Sequence, residues 1–195
     1  MKRLIVIAML VILATPVITP AQDEEPRPIR PALLVIDVQN KFIPMMDEDE
    51  QESSLRMING AIWLFRRHEL PVIRVYHTDP EWGPDPESEE FQFPESVFIQ
   101  DDDPKIVKNY PSAFVKTELD ELLKQRGINT LFLCGLSATG CVLATYHGAM
   151  EREYKVFMIE GALLSRDAEQ TETIKDICSS VGWQALELLL DGFVK

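Results

Sequence analysis

The sequence predicts a single three-layer α/β domain, a mostly parallel sheet of about six strands with helices on both faces. Three observations carry this expectation. Strand-like and helix-like segments alternate along the chain after residue 31, the pattern of parallel strands joined by crossover helices. The strongest strand segments, ALLVIDV (32–38) and TLFLCGL (130–136), are apolar on both faces, as buried parallel strands are. With 195 residues and a 46% hydrophobic fraction, the chain fits one domain with a sizeable core, and it contains no repeat or low-complexity tract.

The N-terminus reads as a leader. Lys2 and Arg3 form a short basic region. Leu4 to Ile18 is apolar apart from Thr15 and Pro16, and Thr19-Pro20-Ala21 offers small residues where a signal peptidase reads. The apolar run falls short of the roughly 20 residues that a spanning helix needs. The expectation is a cleaved signal peptide over 1–21, a periplasmic or secreted mature form, and no membrane association after cleavage. Residues 22–31, with three prolines, read as an extended arm leading into a domain over 32–195.

The elements then follow in order. Ala32 to Val38 is the first strand. The acidic run DEDEQESS (47–54) reads as an acidic loop and helix entry, followed by a helix over Leu55–His68 whose apolar residues at 55, 58, 62 and 65 share one face. VIRVYH, ending at His77, is the second strand. Residues 78–104, rich in proline, acid and aromatics, read as a long excursion that rims or covers a pocket. Lys105–Lys108 is a short strand, NYPSAF a turn, and Thr117–Arg126 a helix ended by Gly127. Thr130–Leu136 is a strand, Cys141–Glu153 a helix, and Lys155–Glu160 a strand. Asp167–Ser180 and Trp183–Leu190 are the last helices.

Thirty-two acidic residues against 19 basic ones leave a formal charge of -13, which repels nucleic acid and anionic membrane surfaces and disfavours both as partners. The three cysteines, Cys134, Cys141 and Cys178, are too few for a disulfide scaffold, and their odd number leaves at least one thiol unpaired or bridged to another chain.

In an open parallel sheet, ligands bind beyond the carboxyl ends of the strands. Asp37, His77, Lys108 and the stretch GLSATGC, which leads to Cys141, all fall at strand ends. Cys141 stands at a predicted helix start, where free N–H groups favour a thiolate and can receive an oxyanion; the plain alternative is a small buried hydrophobe. Asp37 needs a partner in its apolar surroundings, and Lys108 is the natural one, whether as a structural ion pair or as part of a proton shuttle. A Cys-His pair is a rival arrangement. His147 falls on the opposite side of its helix from Cys141 and His68 ends a helix at the other sheet edge, so only His77 is within reach. His77, Asp79 and Glu81 alternate as a metal set would, but a single histidine is a thin ligand set. Trp82, Phe91 and Phe93 either line a pocket or pack the excursion. Cys134 and Cys178 read as core.

Three segments, LLVIDVQNKF (33–42), VKNYPSAF (107–114) and CGLSATGCVLAT (134–145), resemble in order and spacing the isochorismatase-like cysteine hydrolases. The resemblance implies a Rossmann-like fold and a catalytic triad of Asp37, Lys108 and Cys141. It also implies a cis peptide at Leu136–Ser137, an oxyanion hole from the N–H groups of Ser137 or Ala138 and Cys141, and a homo-oligomer. A substrate pocket is expected from Gln39, Phe42, His77, Trp82 and Phe114. Ala138 departs from the family loop, which usually has threonine there. The chain also lacks the second histidine of metal-dependent nicotinamidases, so neither metal nor other cofactor is expected. A cysteine at 141 favours cleavage of a C–N bond in a small amide. The alternatives are hydrolysis of another small molecule, or a non-catalytic member that binds ligand or senses redox state through its thiol.

Overall fold

The computed structural model describes residues 28–193; the expected leader and most of the expected arm lie outside the described residues. Six strands form one sheet in the order β3-β2-β1-β4-β5-β6, and every neighbouring pair is parallel. The fold is the one the alternation predicted. Among the described residues no helix is long and apolar enough to cross a membrane.

Strand β1 (Pro31–Ile36) is central and buried throughout. Its side chains alternate between the two faces of the sheet. Leu33 and Val35 join one core cluster with helix α1 (Glu48–Arg67) and helix α5 (Trp183–Phe193), while Ala32, Leu34 and Ile36 join the other with α2 (Leu119–Gln125), α3 (Leu143–Met150) and α4 (Ala168–Ile177). Burying one such Leu or Ile side chain contributes about 1.5–3 kcal/mol.

The chain runs outward from β1 to β2 (Val72–His77) and β3 (Lys105–Lys108), then reverses to β4 (Thr130–Leu136) on the other side of β1. A topological switch point therefore lies between β1 and β4, where the connections from their carboxyl ends leave toward opposite faces. The 78–104 excursion takes the place of a helix between β2 and β3. Its Phe91 and Phe93 pack on Tyr76 with ring centroids 4.9 and 4.6 Å away, so both are core residues and not pocket lining.

Several boundaries differ from expectation for local reasons. Pro31 belongs to β1 rather than to the arm. The acidic run is the expected helix entry, with almost no loop: α1 begins at Glu48, Asp47 caps it by accepting from Asp49 N–H, and acids in a first turn complement the helix dipole. Strand β5 runs from Lys155 to Leu164, past its expected end at Glu160, because a bulge at Gly161 (φ +75°) breaks the side-chain alternation but not the strand. Helix α4 stops at Ile177, and Ser180–Val181 forms the short edge strand β6. Helix α2 is shorter than expected by two residues at its start and one at its end. The helix expected at Cys141 begins instead as a π-helical turn over Ala138–Val142 and continues as α3.

Candidate active site

The carboxyl ends of β3, β2, β1 and β4 bring four chemically active side chains together. Along β3, exposed and buried residues alternate, which turns Lys108 inward with no exposure at all. Its ammonium donates to Asp37 Oδ2 at 2.7 Å and lies 3.0 Å from His77 Nδ1. Asp37 follows β1 in the left-handed backbone region (φ +54°), a conformation that aspartate tolerates better than most residues. Gln39 stabilises this corner: its amide donates to the carbonyls of His77 (3.0 Å) and Phe91 (2.9 Å), and its oxygen accepts from His77 N–H (2.8 Å).

Strand β4 delivers Cys141. Gly135 pairs with Ile36 at φ +114°, and a Cβ there would lie 2.1 Å from the Ile36 carbonyl oxygen, so only glycine lets the strand end approach Asp37 this closely. The Leu136–Ser137 peptide is cis, and the Ser137 carbonyl accepts from Gly140 (3.0 Å) and Val142 (3.2 Å), which closes the turn that carries Cys141. Ala138 is fully buried in the core on the α2–α3–α4 face, so its methyl group packs where a threonine would have to bury a hydroxyl. Donor atoms of Asp37, His77 and Cys141 all lie within 4.8 Å of one another.

Electrostatics correct one expectation. A helix start was expected to favour a thiolate at Cys141. Instead burial, and next the charge of Asp37, push the thiol up to about 12, and Lys108 offsets only part of this. Burial also raises the Asp37 carboxyl above its ordinary value, although the Lys108 charge and hydrogen bonds from Lys108 and Cys141 pull it down. The resting site therefore holds a neutral thiol beside the Asp37–Lys108 ion pair at 2.7 Å. His77 is pushed down to about 4, mainly by burial and then by the Lys108 charge.

A cavity of about 180 Å³ opens on this group, lined by Asp37, His77, Ser137 and Cys141 and walled by Phe42, Met45, Met46, Trp82 and Leu136, with Arg166 beside them. Phe42, His77 and Trp82 thus stand where a pocket was expected. Gln39 and Phe114 do not line it. The amide of Gln39 is wholly used in backbone hydrogen bonds, and Phe114 is buried on the α2–α3–α4 face, stacked on Tyr154 at 5.8 Å. Sequence reasoning missed Met45, Met46, Leu136 and Arg166. Arg166 follows β5, at another strand end, and that rule would have found it had the strand not been ended at Glu160. The rival groups fall away: His147 is exposed, His68 lies beside Asp191, and Asp79 caps a local turn by accepting from Glu81 and Trp82 N–H. Cys134 is fully buried, and Cys178 packs partly buried against the core on the α2–α3–α4 face.

A donor set of one carboxylate, one imidazole and one thiol has the chemistry to hold a metal ion. The Lys108 ammonium, however, already contacts both Asp37 and His77, where a cation would need them.

Comparison with known proteins gives a consistent result. The family model of the isochorismatase domain matches residues 31–181. An uncharacterised isochorismatase-family protein of Bacillus subtilis, YddQ, is 32% identical over 136 residues, covering 67% of this chain and 76% of its own. The crystal structure of N-carbamoylsarcosine amidase from Thermoplasma acidophilum superposes with a TM-score of 0.69 at 28% identity, over 79% of this chain and 95% of that one. Maleamate amidohydrolase of Pseudomonas putida is 32% identical over 91 residues, 46% of this chain and 43% of its own.

Proposed function

The chain belongs to the isochorismatase family of hydrolases, and from that premise we propose that it is a metal-independent cysteine hydrolase that cleaves a C–N bond of a small amide. The observation that carries this reading is the arrangement of Lys108, Asp37 and Cys141: a carboxylate held at 2.7 Å by an ammonium, beside a protonated thiol on the wall of a cavity. Two similar proteins are named as amidases, which supports the amide over other substrates.

The chemistry follows from the protonation states. As Cys141 Sγ attacks the amide carbon, its proton passes to Asp37, so no standing thiolate is needed. The oxyanion is received by N–H groups of Ser137 or Ala138 and Cys141 at the loop after β4. Asp37 then returns the proton to the leaving nitrogen, the C–N bond breaks, and ammonia or an amine departs, leaving a thioester. Water attacks the thioester with Asp37 again as base, which releases a carboxylic acid and restores the thiol. Lys108 keeps Asp37 ionised between steps and holds its oxygen in place. Contact of Lys108 with both Asp37 and His77 supports the metal-independent form of the mechanism.

The test is Cys141→Ala, assayed for ammonia release from a panel of small primary amides. Release by the wild type and none by the variant, with matching circular dichroism and thermal midpoint, is the expected result. Undiminished release by the variant overturns the mechanism.

A further inference from the structure

His77 has no step in the reaction above, yet its ring is held by Lys108, Trp82 and Phe42. Lys108 Nζ is 3.0 Å from Nδ1, and an ammonium only donates, so Nδ1 accepts and the neutral ring carries its proton on Nε2. The ring stacks on Trp82 with centroids 4.9 Å apart and meets the edge of Phe42 at 6.0 Å. Burial and the Lys108 charge keep it neutral at physiological pH. Nε2 itself is buried and has no hydrogen-bond partner among the described residues, in a residue 3% exposed that lines the cavity with Cys141. Buried N–H groups nearly always have an acceptor, so an unpaired one in a residue that lines a cavity points to a ligand oxygen or nitrogen as that acceptor.

Strand order says where that ligand atom sits. The N–H groups offered to the oxyanion follow β4, Asp37 follows β1, and His77 ends β2 beyond it. His77 and the β4 loop therefore lie on opposite sides of Asp37 along the sheet. We propose that His77 is a specificity-determining residue whose Nε2–H donates to a second acceptor on the substrate, distinct from the carbonyl under attack. The pocket then selects small amides that carry, within a few bonds of the scissile carbon, another acceptor such as a carbonyl, carboxylate or ether oxygen. Phe42, Met45 and Met46 offer the remainder of that substrate an apolar wall, with Arg166 beside it.

The inference rests on the cavity being a substrate site, and its test does not require the substrate. Iodoacetamide and allyl bromide both alkylate a thiolate by displacing halide, but only iodoacetamide brings an acceptor next to the reacting carbon. The readout is the ratio of their rates at Cys141, followed by peptide mass spectrometry at alkaline pH and normalised to glutathione. Relative to wild type, His77→Phe keeps the ring stack and loses the donor, so the ratio should fall roughly three- to tenfold, the worth of one hydrogen bond. His77→Gln keeps an N–H and should recover most of it. An unchanged ratio in His77→Phe, or an equal fall in both variants, overturns the proposal. If His77→Phe does not fold, His77→Met replaces it in the same comparison. Failure of the hydrolase reading shows separately, as a wild type that releases no ammonia while the alkylation ratios keep their pattern.

Discussion

Replacing Asp37 by asparagine should drive two rates at one thiol in opposite directions. In the wild type the Cys141 thiol is pushed up to about 12, first by burial and second by the Asp37 charge, against the pull of Lys108. The donor atoms are within 4.8 Å. At that separation and an effective dielectric of about 20, one unit charge is worth about 3.5 kcal/mol, or about 2.5 pH units. Asp37→Asn removes that charge and leaves Lys108 acting on the thiol alone. The thiolate population should then rise about 300-fold at neutral pH. A thiol of lower pKa is a weaker nucleophile, which by a Brønsted slope of about 0.4–0.5 returns roughly a factor of ten. Alkylation of Cys141 by iodoacetamide should thus run about 20- to 30-fold faster than in the wild type. Amide hydrolysis should fall about 100- to 10,000-fold, because the proton shuttle is gone. Peptide mass spectrometry reads the first rate and ammonia release the second. Leaving Lys108 buried without its partner costs about 3–5 kcal/mol, so both rates belong below the urea midpoint of the variant. If alkylation slows together with hydrolysis, Asp37 does not hold the thiol protonated and the reasoning fails. A wild-type Cys141 that outpaces glutathione at neutral pH would point the same way, to a standing thiolate.

Two further predictions concern stability. Gly135→Ala places a Cβ 2.1 Å from the Ile36 carbonyl oxygen at φ +114° and should cost about 4 kcal/mol or more in urea unfolding, whereas Gly192→Ala, with nothing within 4 Å in helix α5, should leave stability unchanged or raise it by up to about 1 kcal/mol. His77 gives a signed pH dependence. Its folded-state value lies near 4, below the ordinary 6.5, so between those values the unfolded chain binds the extra proton. Stability should therefore fall by about 1.4 kcal/mol per pH unit as pH drops from 6.5 toward 4, and His77→Gln should lack this contribution in unfolding free energies measured across that range.

Much of the architecture was legible because it rests on local signals. Parallel strands buried on both faces must be continuously apolar, and β1 and β4 are. The helix face through Leu55, Ile58, Ile62 and Phe65 follows from a 3.6-residue period, and three of these four are fully buried core residues, with Leu55 packed against them. What the pattern hid has equally local causes. Gly161 interrupts the alternation of β5 and made the strand look finished, which also concealed Arg166 at its end. The acidic run before Leu55 carries no hydrophobic signal, so the sequence leaves loop and helix entry undivided there, although acids suit a first helical turn. Gln39 and Phe114 sat in the segments that resemble the family, and nothing along the chain distinguishes a side chain facing a cavity from one bonded to backbone or packed behind the sheet.

By itself the sequence determined the layers, the strand ends and the chemical types gathered there, because strand and helix periods and the switch-point rule depend only on residue order. The tertiary structure alone decided the state of Cys141. Its position at a helix start argued for a thiolate, but burial and a carboxylate brought from a strand more than a hundred residues away outweigh that local field. It also decided that Lys108 would hold His77 as well as Asp37, which leaves a buried, unpaired N–H in a residue that lines the cavity. Dielectric surroundings and long-range charges belong to the assembled fold, and no short stretch of chain contains them.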